Sequence, residues 1–209
     1  TAGGCEAERL QLPRYRALSG EFLLPSQRLA ALSRAAIQQD VITVYETDGF
    51  QALMDWIEAE SGVAWTSSEK ATKAHRIMAD HGRGMTFLVA DGVLPSNEGR
   101  GYVLRRVIRR AVQQARGIGL TDFWRISDLV ADQMAYWYPE LEENRERIAE
   151  TIRAEEERFS QTLERGMGLF EEVAAGGASA VEHGFRRHDT YGFPQELTRE
   201  LALERGLAV

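Results

Sequence analysis

The chain has 209 residues, 44% of them hydrophobic and 27% charged, with a formal net charge of -7. That length can bury a real core in one or two domains, and the composition is that of a soluble globular protein. No apolar run approaches the roughly 20 residues that span a bilayer, the opening TAGGCEAERL has neither the basic nor the apolar region of a secretory signal, and Cys5, the single cysteine, excludes an intrachain disulfide and fits a reducing compartment.

The first forty residues are the least patterned. RLAALSRAAIQQ, residues 28–39, follows Pro25 and Ser26 and suits a short helix. VITVY, residues 41–45, is rich in β-branched residues and suits a strand or an extended connection. Helical patterning then takes over. Thr47 or Asp48 is a good N-cap, and Phe50, Leu53, Met54 and Ile57 recur on one helix face before Gly62. TSSE, Thr66 to Glu69, reads as a capping box for a second helix carrying Ala74, Ile77, Met78, Met85 and Leu88. Gly82 and Gly84 weaken its middle, each costing about 1 kcal/mol relative to alanine.

The loop at residues 91–99 interrupts the helical pattern. A third helix begins near Gly101, with Leu104, Val107, Ile108, Ala111 and Val112 as its apolar stripe, and Gly117 and Gly119 end it. Thr121 is placed to cap a fourth, whose inward residues are Ile126, Leu129, Val130, Met134 and Trp137. After Pro139, Leu141, Ile148, Ile152, Phe159, Leu163 and Phe170 are spaced 7, 4, 7, 4 and 7. That seam predicts one helix from about residue 140 to 174, roughly 50 Å long. AAGGASA stops it, DTYGFP forms a turn, and Pro194 opens a last helix ending at Gly206. The expected fold is mainly α, without solenoid repeats.

Charge is unevenly placed. Arg100, Arg105, Arg106, Arg109, Arg110 and Arg116 lie within seventeen residues that contain no acid. One reading is a solvated helix face, or cations paired with acidic helices elsewhere. The other is a phosphate backbone, which relieves the repulsion among like charges and matches the planar guanidinium fork. The loop PSNEGRG ahead of the arginines has neither the Walker A order nor a Rossmann fingerprint. It reads as an interhelical turn, or as a backbone able to approach nucleic acid closely with Asn97 offering both donor and acceptor. His75 and His81 are six residues apart, and His183 and His188 have no nearby cysteine, so no metal site is expected. EEER, residues 155–158, reads as a solvated face, and Trp124, Tyr136, Trp137 and Tyr138 as core.

ADHGRGMTFLVADGVLPSNEGRGYVLRRVIRRAV, residues 79–112, resembles the signature run of the alanyl-tRNA synthetases. VYETDGFQALMDWI (residues 44–57), EEERFSQTLERGMGLFEE (155–172) and DTYGFPQELTRE (189–200) are similar to further segments of that family in the same order. The resemblance spans residues 40–209. It implies a class II aminoacyl-tRNA synthetase that activates alanine with ATP and Mg and attaches it to alanine tRNA. It also implies that residues 41–209 are the helical domain reading the G·U pair of the acceptor stem, and that residues 1–40 are a truncated or degenerate end of the catalytic domain. The family's G·U-contacting asparagine and aspartate correspond to Asn97 and Asp189, with Arg100, Arg105, Arg106, Arg109 and Arg110 as RNA-binding companions.

The chain departs from that family in places. The catalytic motif DxGxGLER has QRLAALSR as its counterpart, where only Leu32 and Arg34 match and Ser33 replaces the glutamate. Arg34 is the one residue there implied to meet ATP, no catalytic residue set is intact, and no cofactor is expected in a fragment of this kind. His188 stands where tyrosine is usual and Gly82 where a larger residue is usual. The expectation is therefore a cytoplasmic part of alanine–tRNA ligase that binds the acceptor stem, has no membrane or DNA partner, and does not activate alanine alone. The alternatives are a free-standing RNA-binding module and a helical scaffold using the seam from Leu141 to Phe170.

Overall fold

The computed structural model describes residues 34–175, with side chains to residue 165. Among the described residues there is no strand, as a mainly α fold requires. DTYGFP, with His188 and Asp189, and the last expected helix lie outside the described residues, as does most of the 28–39 helix; residues 34–38 are helical. The chain divides into two compact units, Thr1–Glu156 and Glu157–Val209, with the division inside the last described helix.

VITVY is not a strand. Thr43 is extended, and Val44–Glu46 then forms a 3-10 turn. The Thr43 amide is taken by the Glu46 carboxylate at 2.8 Å and Glu46 N–H returns to Thr43 O at 3.1 Å, so local bonds use the groups a ladder would need. Helix α1 (Asp48–Ser61) buries the expected Phe50, Leu53, Met54 and Ile57 and ends on Gly62 in the left-handed region at φ 67°. Thr47 is its N-cap, yet the Thr47 hydroxyl donates back to Val44 O at 2.6 Å. Gln39 satisfies the helix start instead: its side-chain oxygen accepts from Asp48 N–H and its amide donates to Asp48 Oδ1, both at 2.8 Å.

Helix α2 (Glu69–Ala90) starts two residues later than the TSSE box implies. Ser68 is the N-cap and accepts from Ala71 N–H at 3.0 Å. This helix is central, with α1 and the next three helices of the chain packed against it. Met78, Met85 and Val89 are fully buried, while Ile77 and Leu88 are half-buried. It runs unbroken through both glycines. Gly82 has a packing reason, because a β-carbon there would lie 2.8 Å from Ile126 Cδ1, whereas Gly84 faces open space.

Helix α3 (Gly99–Gly117) lies along α2 and buries Leu104, Ile108, Ala111, Val112 and Ala115; Val107 is half-buried. Thr121 does not cap the next helix. A 3-10 turn, Phe123–Arg125, leads into α4 (Ile126–Met134), and its amides are capped from elsewhere in the chain. Ile126 and Val130 are buried as expected and Leu129 and Met134 are half-buried. Trp137 is not inward: it is 38% exposed, edge-on to Tyr136, itself 88% exposed. Of the aromatics expected in the core, Tyr138 is buried against Phe87 and Trp124 is half-buried.

The long helix is interrupted. Pro139–Glu143 forms a short α5, and α6 (Arg145–Ala175) comes after it. The break falls at Asn144, whose backbone leaves the helical region (φ -110°, ψ 11°) and whose side-chain amide donates to Glu140 O at 2.8 Å. The seam survives: Leu141, Ile148, Ile152, Phe159 and Leu163 are all buried, and Phe170 is beyond the described side chains. Arg147 Nη2 reaches back to Val89 O and Ala90 O at 3.3 and 3.1 Å, placing a cation on the carbonyl end of α2 where loop 91–98 begins.

Candidate nucleic-acid interface

The loop between α2 and α3 is folded tightly onto the first turn of α3. Gly92, φ 83°, turns the chain away from α2, and Gly99, φ 57°, turns it into α3. Ser96 N–H donates to Gly101 O at 3.1 Å, and Ser96 Oγ donates to Glu98 O at 2.8 Å. The loop backbone passes so close to α3 that a β-carbon at Gly101 would collide with Leu94 O and Ser96 Oγ. The second glycine of PSNEGRG is thus required by close approach, which holds Asn97 exposed at the head of the arginine helix.

The arginines fall into two rows. Arg100, Arg106 and Arg110 are exposed. Arg105 and Arg109 turn inward, with side chains only 21% and 23% exposed, and both Nε atoms meet one oxygen of Glu155, at 3.3 and 2.8 Å. Glu155 is 1% exposed. The segment 100–116 contains no acid, but the fold brings one from α6, the pairing with acidic helices elsewhere that one reading of the sequence allowed for. Arg105 also donates through Nη1 to the side-chain oxygen of Asn97 and through Nη2 to Pro95 O at 3.5 Å. One guanidinium therefore bridges a buried carboxylate and the exposed loop.

EEER is not the solvated face it resembles. Glu155 and Glu156 are buried, and Glu157 and Arg158 are exposed. Glu156 accepts from Phe123 N–H at 3.0 Å and Trp124 N–H at 2.8 Å, capping the turn into α4. Burial raises its carboxyl above the ordinary 4.5, and these two amide bonds oppose the shift. A signal for Glu155 was present: it lies between Ile152 and Phe159 at seam spacing, and a carboxylate in an apolar seam requires a cation. Tyr102 and Val103 are exposed as well, and Tyr102 precedes Arg106 by one helical turn.

Other sequence candidates stand apart. Arg34 is exposed on the helical residues 34–38. His75 is buried with Nδ1 2.9 Å from Ala71 O, and His81 lies beside Asp80. Among the described residues no three His, Cys, Asp or Glu side chains converge as a metal site would, and no helix is long and apolar enough to cross a membrane.

Comparison with known proteins bears on this geometry. An alanine–tRNA ligase of Thermotoga petrophila is 44% identical over 184 residues, which cover 86% of this chain and 21% of that protein. The alanine–tRNA ligases of Nitratidesulfovibrio vulgaris and Staphylococcus aureus are 42% and 41% identical over 182 residues, covering 83% and 84% of this chain and 21% of each relative. The chain thus spans about a fifth of the length of these curated relatives. The family described as tRNA synthetases class II (A) matches residues 29–209, so the loop and both arginine rows lie inside the matched region, and the chain belongs to that family.

Proposed function

We propose that this chain is the acceptor-stem recognition part of an alanine–tRNA ligase. The observation that carries the reading is the loop held over α3, which exposes Asn97 beside an outward row of Arg100, Arg106 and Arg110. A-form RNA displays a wide, shallow minor groove, and a G·U wobble leaves the guanine amine there without a base partner. In this reading the outward arginines hold phosphates and set register, while Asn97 and Asp189 address the base edges. Tyr102 and Val103 supply apolar contact to the riboses. Arg105 and Arg109 stand behind the outward row, partly exposed and sharing Glu155.

Arg34 is exposed, Ser33 replaces the glutamate of the resembled motif, and among the described residues no three His, Cys, Asp or Glu side chains converge. In this reading ATP and magnesium belong to the complete ligase, whose activity is ATP-dependent attachment of alanine to tRNA. The test is binding of the chain to two acceptor-stem hairpins that differ only in one pair, G·U or G·C. Tighter binding of the G·U hairpin is expected; equal affinity would remove the readout role.

A further inference from the structure

Asn97 is exposed on a loop, where an asparagine side chain would ordinarily sample several rotamers and both amide orientations. Here it is tethered. Arginine has donors only, so the Asn97 atom that meets Arg105 Nη1 must be the amide oxygen. Arg105 is itself held from behind by an ion pair with Glu155, Nε to Oε1 at 3.3 Å without hydrogen-bond geometry, the acid being buried in the seam of α6, and from the side by a hydrogen bond to Pro95 O. Arg109 completes the set by donating to the same Glu155 oxygen at 2.8 Å.

We infer that Glu155 and Arg105 are positioning residues that fix the Asn97 amide with its oxygen turned to the protein, so that Asn97 meets the RNA minor groove through its amino group, as a hydrogen-bond donor. This rests on the reading of Asn97 as an RNA contact. It divides the labour at the wobble pair. Base-edge oxygens, ring nitrogens and ribose hydroxyls of the minor groove can accept from Asn97, and the guanine amine is left to a carboxylate. Glu155 is too deeply buried to touch RNA, so its influence on base preference must pass through Arg105. A planar fork is needed at position 105, because one side chain must reach the carboxylate through Nε and the loop through both terminal nitrogens. A lysine ammonium keeps the charge but not that geometry.

The experiment measures binding of the full chain to the G·U and G·C hairpins across a salt series, for the parent, Glu155→Gln, Arg105→Lys and Asn97→Ala, with circular dichroism confirming helicity. In the parent the G·U hairpin is preferred by roughly tenfold, the scale of one base-edge contact. Glu155→Gln is expected to bring that preference to within about twofold while G·C binding is kept or strengthened, since two cations lose their acid. Arg105→Lys is expected to lose the preference with the salt slope retained, because the cation stays. Parent-like preference in both variants, with Asn97→Ala losing it, overturns the positioning role and leaves the reading of Asn97 intact. Parent-like preference in Asn97→Ala overturns that reading and the inference together. Should Glu155→Gln unfold, Arg105→Lys decides alone: it alters a part-exposed side chain and leaves the seam untouched.

Discussion

Gly84 and Gly101 are both helical glycines, and replacing each with alanine should move stability in opposite directions. Alanine is favoured over glycine in a helix by about 1 kcal/mol. At Gly84 a β-carbon meets nothing within 4 Å, so Gly84→Ala should realise most of that gain. At Gly101 the same carbon overlaps Ser96 Oγ and the Leu94 carbonyl oxygen. The serine side chain can rotate, but the carbonyl belongs to the loop backbone and moves only if the loop retreats. Retreat breaks the Ser96 N–H bond to Gly101 O, worth about 0.5–1.5 kcal/mol, and adds overpacking strain of about 1–3 kcal/mol. Less the propensity gain, Gly101→Ala should destabilise by about 0.5–3.5 kcal/mol. Thermal unfolding followed by helical circular dichroism reads both, at about 2–4 °C per kcal/mol for a chain of this size. Because the retreating loop carries Asn97, Gly101→Ala should also reduce discrimination between hairpins. A Gly101→Ala variant as stable as Gly84→Ala would refute the close approach of loop and helix.

Three further outcomes are expected. Glu156 has a raised native carboxyl, so it holds its proton to higher pH when folded than when unfolded; the stability this gives is complete below about 4.5 and is lost as pH rises through the native value. Urea unfolding of the parent and Glu156→Gln from about pH 4 to 8 should show the parent losing stability relative to the variant over that window, and a parent that gains would contradict the effect of burial. Arg106→Glu with Arg110→Glu should weaken both hairpins alike and flatten the plot of log affinity against log salt by roughly 1–2 units, measured by fluorescence anisotropy. Asn97→Ala should lower the G·U preference by about 1–3 kcal/mol in the same assay.

Much of this fold was legible because helical burial writes itself at a period of about 3.6. The α1 stripe of Phe50, Leu53, Met54 and Ile57 and the seam from Leu141 to Leu163 are buried as their spacing implies. Caps were less legible, because a competing partner can come from outside the local window. Gln39 serves the start of α1 in place of the Thr47 hydroxyl, and Glu156 serves the turn before α4 in place of Thr121. Periodicity also passes through Asn144, where the backbone leaves the helical region for one residue without shifting the apolar face. Trp137 kept the spacing of an inward residue but lies past the end of α4, where the helical phase no longer applies. At the site, composition located the cation cluster and the loop. It could not separate the outward Arg106 and Arg110 from the inward Arg105 and Arg109, since that depends on where Glu155 arrives in space.

The most direct test of acceptor-stem recognition is equilibrium binding of this chain to paired hairpins, identical but for one G·U or G·C pair, at fixed salt. Roughly tenfold tighter binding of the G·U hairpin is predicted, reduced to near equality by Asn97→Ala. Equal affinity for the two hairpins in the parent chain would contradict it.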